Sequence, residues 1–306
     1  MQNNTKISPQ KKATLVSSSV AFLLTIIKLA VGIASGSVAV LASAIDSVMD
    51  MFVSVFNYFA ITNSEKPADD QFNYGRGKIE ALASVIEGTI ITMSGLFLLY
   101  QAAKKAYTGE VSSYANTSII VMLISLFITI ALVAYLNAVA KKTNNMVIKA
   151  DALHYKTDVY VNAAVLVSLV LVFITKIELI DVLVGGGIAL FIIYSAYELI
   201  EDGILMLLDR AVDEDKIQTI KQIITDEEKV NDYHFLKTRQ AGNDVFVEVH
   251  LVFDCVISLM DAHRASDRIE EQISDIDKDV TWIINIHLDP YDDSLLHEEN
   301  CSTIKS

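Results

Sequence analysis

Residues 117–140, TSIIVMLISLFITIALVAYLNAVA, contain no charged side chain. A helix crosses the hydrocarbon of a bilayer with about 20 consecutive apolar residues, so this stretch makes the chain a membrane protein. Five further runs flank it: Ala13–Ala34, Val38–Thr62, Ile79–Ala103, Ala150–Thr175 and Glu178–Ile200. The first lacks a convincing cleavage site and is followed by more spans, so it reads as a retained helix and not a signal peptide. Ser35-Gly36-Ser37 turns the first two spans into a tight hairpin. Beyond Asp209 the composition changes. Residues 1–209 hold 14 Lys+Arg against 16 Asp+Glu, whereas residues 210–306 hold 10 against 22. The 306-residue chain is 52% hydrophobic with net charge −14 and a mean hydropathy of +0.41. A single soluble domain is less apolar, and nucleic-acid binding needs a basic surface. Both classes are excluded. The expected fold is an α-helical membrane protein with six transmembrane helices and a C-terminal α+β domain.

Orientation follows from the basic residues at the span ends. Lys11, Lys12, Lys66, Arg76, Lys78, Lys141, Lys142 and Lys149 fall on one side. Only Lys104, Lys105 and Lys176 fall on the other. The first side is cytoplasmic, and six spans return the chain there, so both termini are inside. The division is a cytoplasmic segment 1–12, a transport domain 13–209, a cytoplasmic domain 210–292 and an acidic tail 293–306.

Two spans carry charges that a lipid-facing helix would exclude. Span two contains Ser43-Ala44-Ile45-Asp46-Ser47-Val48-Met49-Asp50, and span five opens Ala150-Asp151-Ala152-Leu153-His154-Tyr155-Lys156-Thr157-Asp158. Asp46 and Asp50 share a helix face one turn apart, as do His154 and Asp158. If the helices face each other, three carboxylates and one imidazole converge. That set suits tetrahedral zinc, and also ferrous iron, cadmium or manganese. Asp151, near the water interface, reads as a helix-start residue, and Lys28 as a snorkelling or paired lysine. Glu80 and Glu87 lack spaced partners, which leaves packing or a polar pathway open for them. Cys255 and Cys301 form no zinc motif; they read as a half-buried thiol and a tail thiol.

At these residues the chain resembles the cation diffusion facilitators, most closely their bacterial zinc and ferrous-iron efflux branch. The likeness rests on SAIDSVMD, the loop KPADDQFNYGRGKIEAL, the H-x-x-x-D of span five, the run LMLLDRAV and the acidic C-terminal domain. It implies a homodimeric metal/proton antiporter in the bacterial cytoplasmic membrane, with Asp46, Asp50, His154 and Asp158 as the transport site. No resident cofactor is implied; zinc or ferrous iron is the transported and regulatory ion. A second site in the loop between spans two and three needs histidines where this chain has Phe72 and Arg76. That site is expected to be absent or reduced to a weak contact at Asp69 or Asp70. The resemblance also implies a charge pair of Lys78 and Asp209 near the membrane surface.

In the last third, residues 213–228 and 258–275 read as helices. Tyr233–Gln240, Asp244–Phe253 and Val280–Leu288 read as strands, with a turn at Ala241-Gly242-Asn243. The order αββαβ is that of a small open-faced sandwich, metallochaperone-like. Val245, Val247, Val249, Leu251 and Phe253 alternate onto its core face, and Trp282 reads as packing. Five of the six histidines lie here. The resemblance implies that His234, His250, His263, His287 and Asp289 bind metal, with Asp289 bridging two ions, and leaves His297 outside the site. Metal export against proton entry is the leading function. A non-transporting metal sensor is a weaker fit, because the membrane quartet is intact. An intramembrane aspartyl protease is remote, because Asp46 and Asp50 share one helix and no Asp follows Val184-Gly185-Gly186-Gly187.

Overall fold

The computed structural model describes residues 7–35, 38–108, 116–175 and 179–292; the side chain of Asp46 is among those outside this description. Two compact units meet between Ile204 and Leu205. The first holds six long helices: α1 (Pro9–Ser35), α2 (Val38–Ser64), α3 (Lys78–Thr108), α4 (Asn116–Thr143), α5 (Met146–Thr175) and α6 (Leu179–Leu207). Among the described residues, four segments are long and apolar enough to cross a membrane: Pro9–Val31, Lys78–Lys104, Leu123–Thr143 and Val182–Leu207. The expectation of six such spans is thus met by composition for four. The remaining two helices, α2 and α5, are comparably long, at 27 and 30 residues. They are the helices that carry the acidic and histidine motifs.

Local signals place the helix ends. Asn144 takes φ 49° after α4, and its N–H bonds the Ala140 carbonyl at 2.8 Å, which closes the last turn. Asn145 then caps α5, its side-chain oxygen accepting from the Ile148 N–H at 3.1 Å. At the end of α6, Asp209 has φ 59° and donates to the Met206 carbonyl, while Arg210 donates to that of Leu205. That pairing is a Schellman closure. Helix α3 approaches α6 through glycine. A Cβ on Gly88 would come 2.7 Å from Ile200 Cγ1, and one on Gly203 would come 2.6 Å from Val85 Cγ2. Small residues let membrane helices pack this closely.

The second unit contains α7 (Glu214–Thr225), β1 (Asp232–Ala241), β2 (Asp244–Val252), α8 (Leu259–Ser274) and β3 (Thr281–Asp289). The sheet order is β1-β2-β3, antiparallel for the first pair and parallel for the second. Val247, Val249, Leu251 and Phe253 form one face of the core against Ile220, Ile224, Ile269 and Ile273. Trp282 packs against that core, as expected, and its Nε1 donates to the Asp277 carbonyl at 3.0 Å. The β1–β2 hairpin turns on Gly242, whose φ of 63° a side chain would disfavour. Cys255 departs from expectation: it is exposed, not half-buried. Its loop position between β2 and α8 leaves it outside the core. Cys301 and His297 lie outside the described residues.

Candidate metal centres

Helical spacing brings the membrane motifs together from distant parts of the chain. The ligand atoms of Asp50, His154 and Asp158 all lie within 4.8 Å of one another. His154 Nε2 is 3.2 Å from Asp50 Oδ1. The two side chains retain 13% and 20% exposure respectively. Asp46 lies one turn before Asp50 on α2, on the same face. Beside the cluster, Ser54 and Tyr155 share a buried hydrogen bond of 2.7 Å, which fixes how α2 faces α5. Lys28 is paired, its amine donating to Ser47 at 2.7 Å.

Four buried polar residues lack the helical spacing of a ligand pair. Asp151 is fully buried and lies five residues into α5, past the helix start at Met146. Asn57 Nδ2 donates to Asp151 Oδ1 at 3.3 Å and to Glu87 Oε2 at 3.0 Å. Glu80 is also buried and accepts from the Ser64 hydroxyl at 3.1 Å. Each of these contacts joins different helices, so no local spacing announces it.

The loop between α2 and α3 is closed by its own charges. Asp69 Oδ1 accepts from the backbone N–H groups of Gln71 and Phe72, and Oδ2 meets Arg76 Nη2 at 2.6 Å. The guanidinium lies 4.2 Å over the Phe72 ring. The hydrogen bond from Arg76, followed by that from the Phe72 backbone, holds the Asp69 carboxyl below the usual carboxylate range. Arg76 thus occupies the carboxylate an ion would need.

In the second unit the sheet register builds another cluster. His234 stands opposite His250, and His250 opposite His287, one histidine per strand. Asp289 follows His287 by two residues, on the same face of β3. Its Oδ2 lies 2.9 Å from His250 Nδ1 and 3.2 Å from His234 Nε2. Its Oδ1 lies 3.0 Å from His287 Nε2. One nearly buried carboxylate therefore faces three imidazoles, a donor set that fits zinc or another borderline divalent ion. A bulge between His234 and Lys237, with Phe235 at φ 53°, sets the Phe235 ring against both His234 and His250. Asp292, a residue no motif indicated, lies 3.4 Å from His234 Nδ1. His263 is not drawn into this group: it stands on α8, largely exposed, 3.7 Å from Asp267. Of the expected charge pair, Lys78 opens α3 in the first unit. Asp209 belongs to the second, where Arg239 meets its carboxylate at 3.3 Å.

Comparison with known proteins follows the same two-part division. The family model described as the cation efflux transmembrane domain matches residues 14–208, and that of the cation efflux protein cytoplasmic domain matches residues 212–291. The chain is 33% identical to the cation-efflux pump FieF of Serratia proteamaculans over 294 residues, covering 96% of this chain and 94% of that one. FieF of Citrobacter koseri matches at 33% over 293 residues, covering 96% and 93%. FieF of Yersinia pestis matches at 33% over 294 residues, covering 96% and 94%. A slighter likeness, 24% identical with a TM-score of 0.24, covers 25% of this chain and 87% of the metal-bound C-terminal domain of the CzcD transporter from Thermotoga maritima. With both of its domains matched in order and close relatives along nearly its whole length, the chain belongs to the cation efflux family, the cation diffusion facilitators.

Proposed function

We propose that this protein exports a divalent metal, zinc or ferrous iron, from the cytoplasm in exchange for protons. It works as a homodimer spanning the bacterial cytoplasmic membrane six times, with both termini inside. The observation that carries the reading is the convergence of Asp50, His154 and Asp158 to within 4.8 Å on helices of the membrane unit. Asp46 completes a four-ligand site from the adjacent turn. Metal binding requires anionic carboxylates and a neutral imidazole, so an incoming ion displaces protons and an outgoing ion is replaced by them. Binding between helices that rock about a central site is the general logic of secondary carriers. Cadmium and manganese are competing cargoes, since three carboxylates and one imidazole form a mixed set.

The cytoplasmic cluster of His234, His250, His287 and Asp289 serves as the regulatory metal site. Lys78 and Asp209 serve as a charge pair of the dimer near the membrane surface. The test is metal flux in reconstituted vesicles. Asp50→Ala and His154→Ala should each reduce flux to the vesicle background while leaving a folded protein on gel filtration. Near-normal flux in either variant would falsify the assignment.

A further inference from the structure

Glu87 on α3 and Asp151 on α5 are buried to 1% and 0% exposure, and Asn57 on α2, at 0%, lies between them. The Asn57 amide nitrogen donates one hydrogen to each acid, at 3.0 and 3.3 Å. The two carboxyl groups are therefore no further apart than two hydrogen-bond lengths. Three oxygens are left over: Glu87 Oε1, Asp151 Oδ2 and Asn57 Oδ1 are buried without a hydrogen-bond partner. Ser17 of α1 is near Asp151, but its hydroxyl donates to the Thr14 carbonyl at 3.1 Å. The charged groups that face the pair are Asp50 on α2 and His154 on α5, both members of the transport cluster.

We propose that Glu87, Asp151 and Asn57 form a proton-holding site distinct from the metal centre, in which the two acids carry one proton between them. Two carboxylates this close and this deeply buried cannot both stay ionised; one proton leaves a neutral acid beside an anion. A divalent ion is the poorer occupant. The amide nitrogen that bridges the acids presents hydrogens to the space between them, and hydrogens repel a cation. Turning the amide over would set three acceptor oxygens against one another unless each acid were protonated, so the nitrogen-inward orientation is the one that suits a single shared proton. The proton sits one helical turn from His154, so it can be exchanged when the metal centre changes charge.

The site is read directly by infrared difference spectroscopy of the full-length, metal-free protein in lipid at neutral pH. A protonated-carboxyl C=O band that shifts in deuterium oxide is expected in the wild type, and it should be lost or displaced in Glu87→Gln and in Asp151→Asn. No such band in the wild type overturns the proposal, as does a band unchanged in both variants. Loss of one bound zinc per protomer from both variants, with the infrared spectrum unaltered, would make this a metal station instead. The part the site plays in coupling rests on the antiport reading, and vesicles loaded with pH and zinc dyes test it separately. Glu87→Gln should lower the protons moved per metal ion; an unchanged ratio overturns the coupling role. Absence of proton movement in the wild type would refute the antiport reading and leave the infrared result standing.

Discussion

At the scale of single residues, the two candidate metal sites differ in what each side chain contributes. In the cytoplasmic unit Asp289 is the common partner of His234, His250 and His287. Asp289→Ala should therefore reduce metal bound per protomer in equilibrium dialysis while the membrane site still binds. In the membrane unit His154 is the only nitrogen donor of the cluster. His154→Asp makes an all-oxygen site, and zinc should lose its advantage over manganese in competitive flux measurements. A third prediction concerns proton linkage. The Lys216 ammonium, 2.7 Å from Asp277, is the main cause that holds this carboxyl below its usual range. A depressed carboxyl stabilises the fold above its unfolded value of about 3.9, and that gain is lost as pH falls through the folded value. Lys216→Met should cost roughly 0.2–1 kcal/mol at neutral pH for this part-exposed pair. The difference from wild type should vanish once the solution is acid enough to protonate Asp277 in the fold. Trp282, the single tryptophan, reports the melting of this unit by fluorescence. The motif residues were legible because an i, i+4 pair of acids inside an apolar run has no packing explanation. Asn57, Glu87 and Asp151 were not, because their meaning lies in contacts among α2, α3 and α5 that no local pattern encodes. Asp292 was hidden for the same reason, since it lies beyond β3 and its partner His234 is on β1.

At the scale of elements, the alternation of β2 and the amphipathic pattern of α8 placed the cytoplasmic elements within a few residues of where they fold. The close approach of α3 and α6 was invisible in sequence, because a glycine in an apolar helix looks alike whether it is crowded or open. Gly203 and Gly185 lie on the same helix and separate the two cases. A Cβ at Gly203 would meet Val85 Cγ2 at 2.6 Å and the Ala81 carbonyl at 3.1 Å, whereas one at Gly185 would meet nothing within 4 Å. Gly203→Ala should push α3 and α6 apart and destabilise by about 1–3 kcal/mol, the usual cost of overpacking. Gly185→Ala should be neutral, or stabilising by up to about 1 kcal/mol from helix propensity. Thermal unfolding of the two variants in the same detergent checks the contrast; equal melting temperatures would show that the α3–α6 contact is not tight.

At the scale of the whole molecule, charge is divided unevenly, and that division sets how metal can act on the cytoplasmic part. Residues 210–306 carry 22 acidic against 10 basic residues, while residues 1–209 are nearly balanced. Two such acidic domains held together in a dimer repel, over a Debye length of about 10 Å at 0.1 M salt. Salt weakens this repulsion without regard to position. A divalent ion bound among His234, His250, His287 and Asp289 instead adds positive charge at one place in each protomer. The two agents should consequently be separable in full-length protein in detergent. Zinc at low ionic strength should reduce the radius of gyration measured by small-angle scattering, and so should high salt without zinc. Asp289→Ala should abolish the zinc effect and leave the salt effect intact, because it removes a ligand and only one of many negative charges. A zinc response that survives in Asp289→Ala would place the responsible ion elsewhere, and a salt response absent from the wild type would show that repulsion does not hold the domains apart.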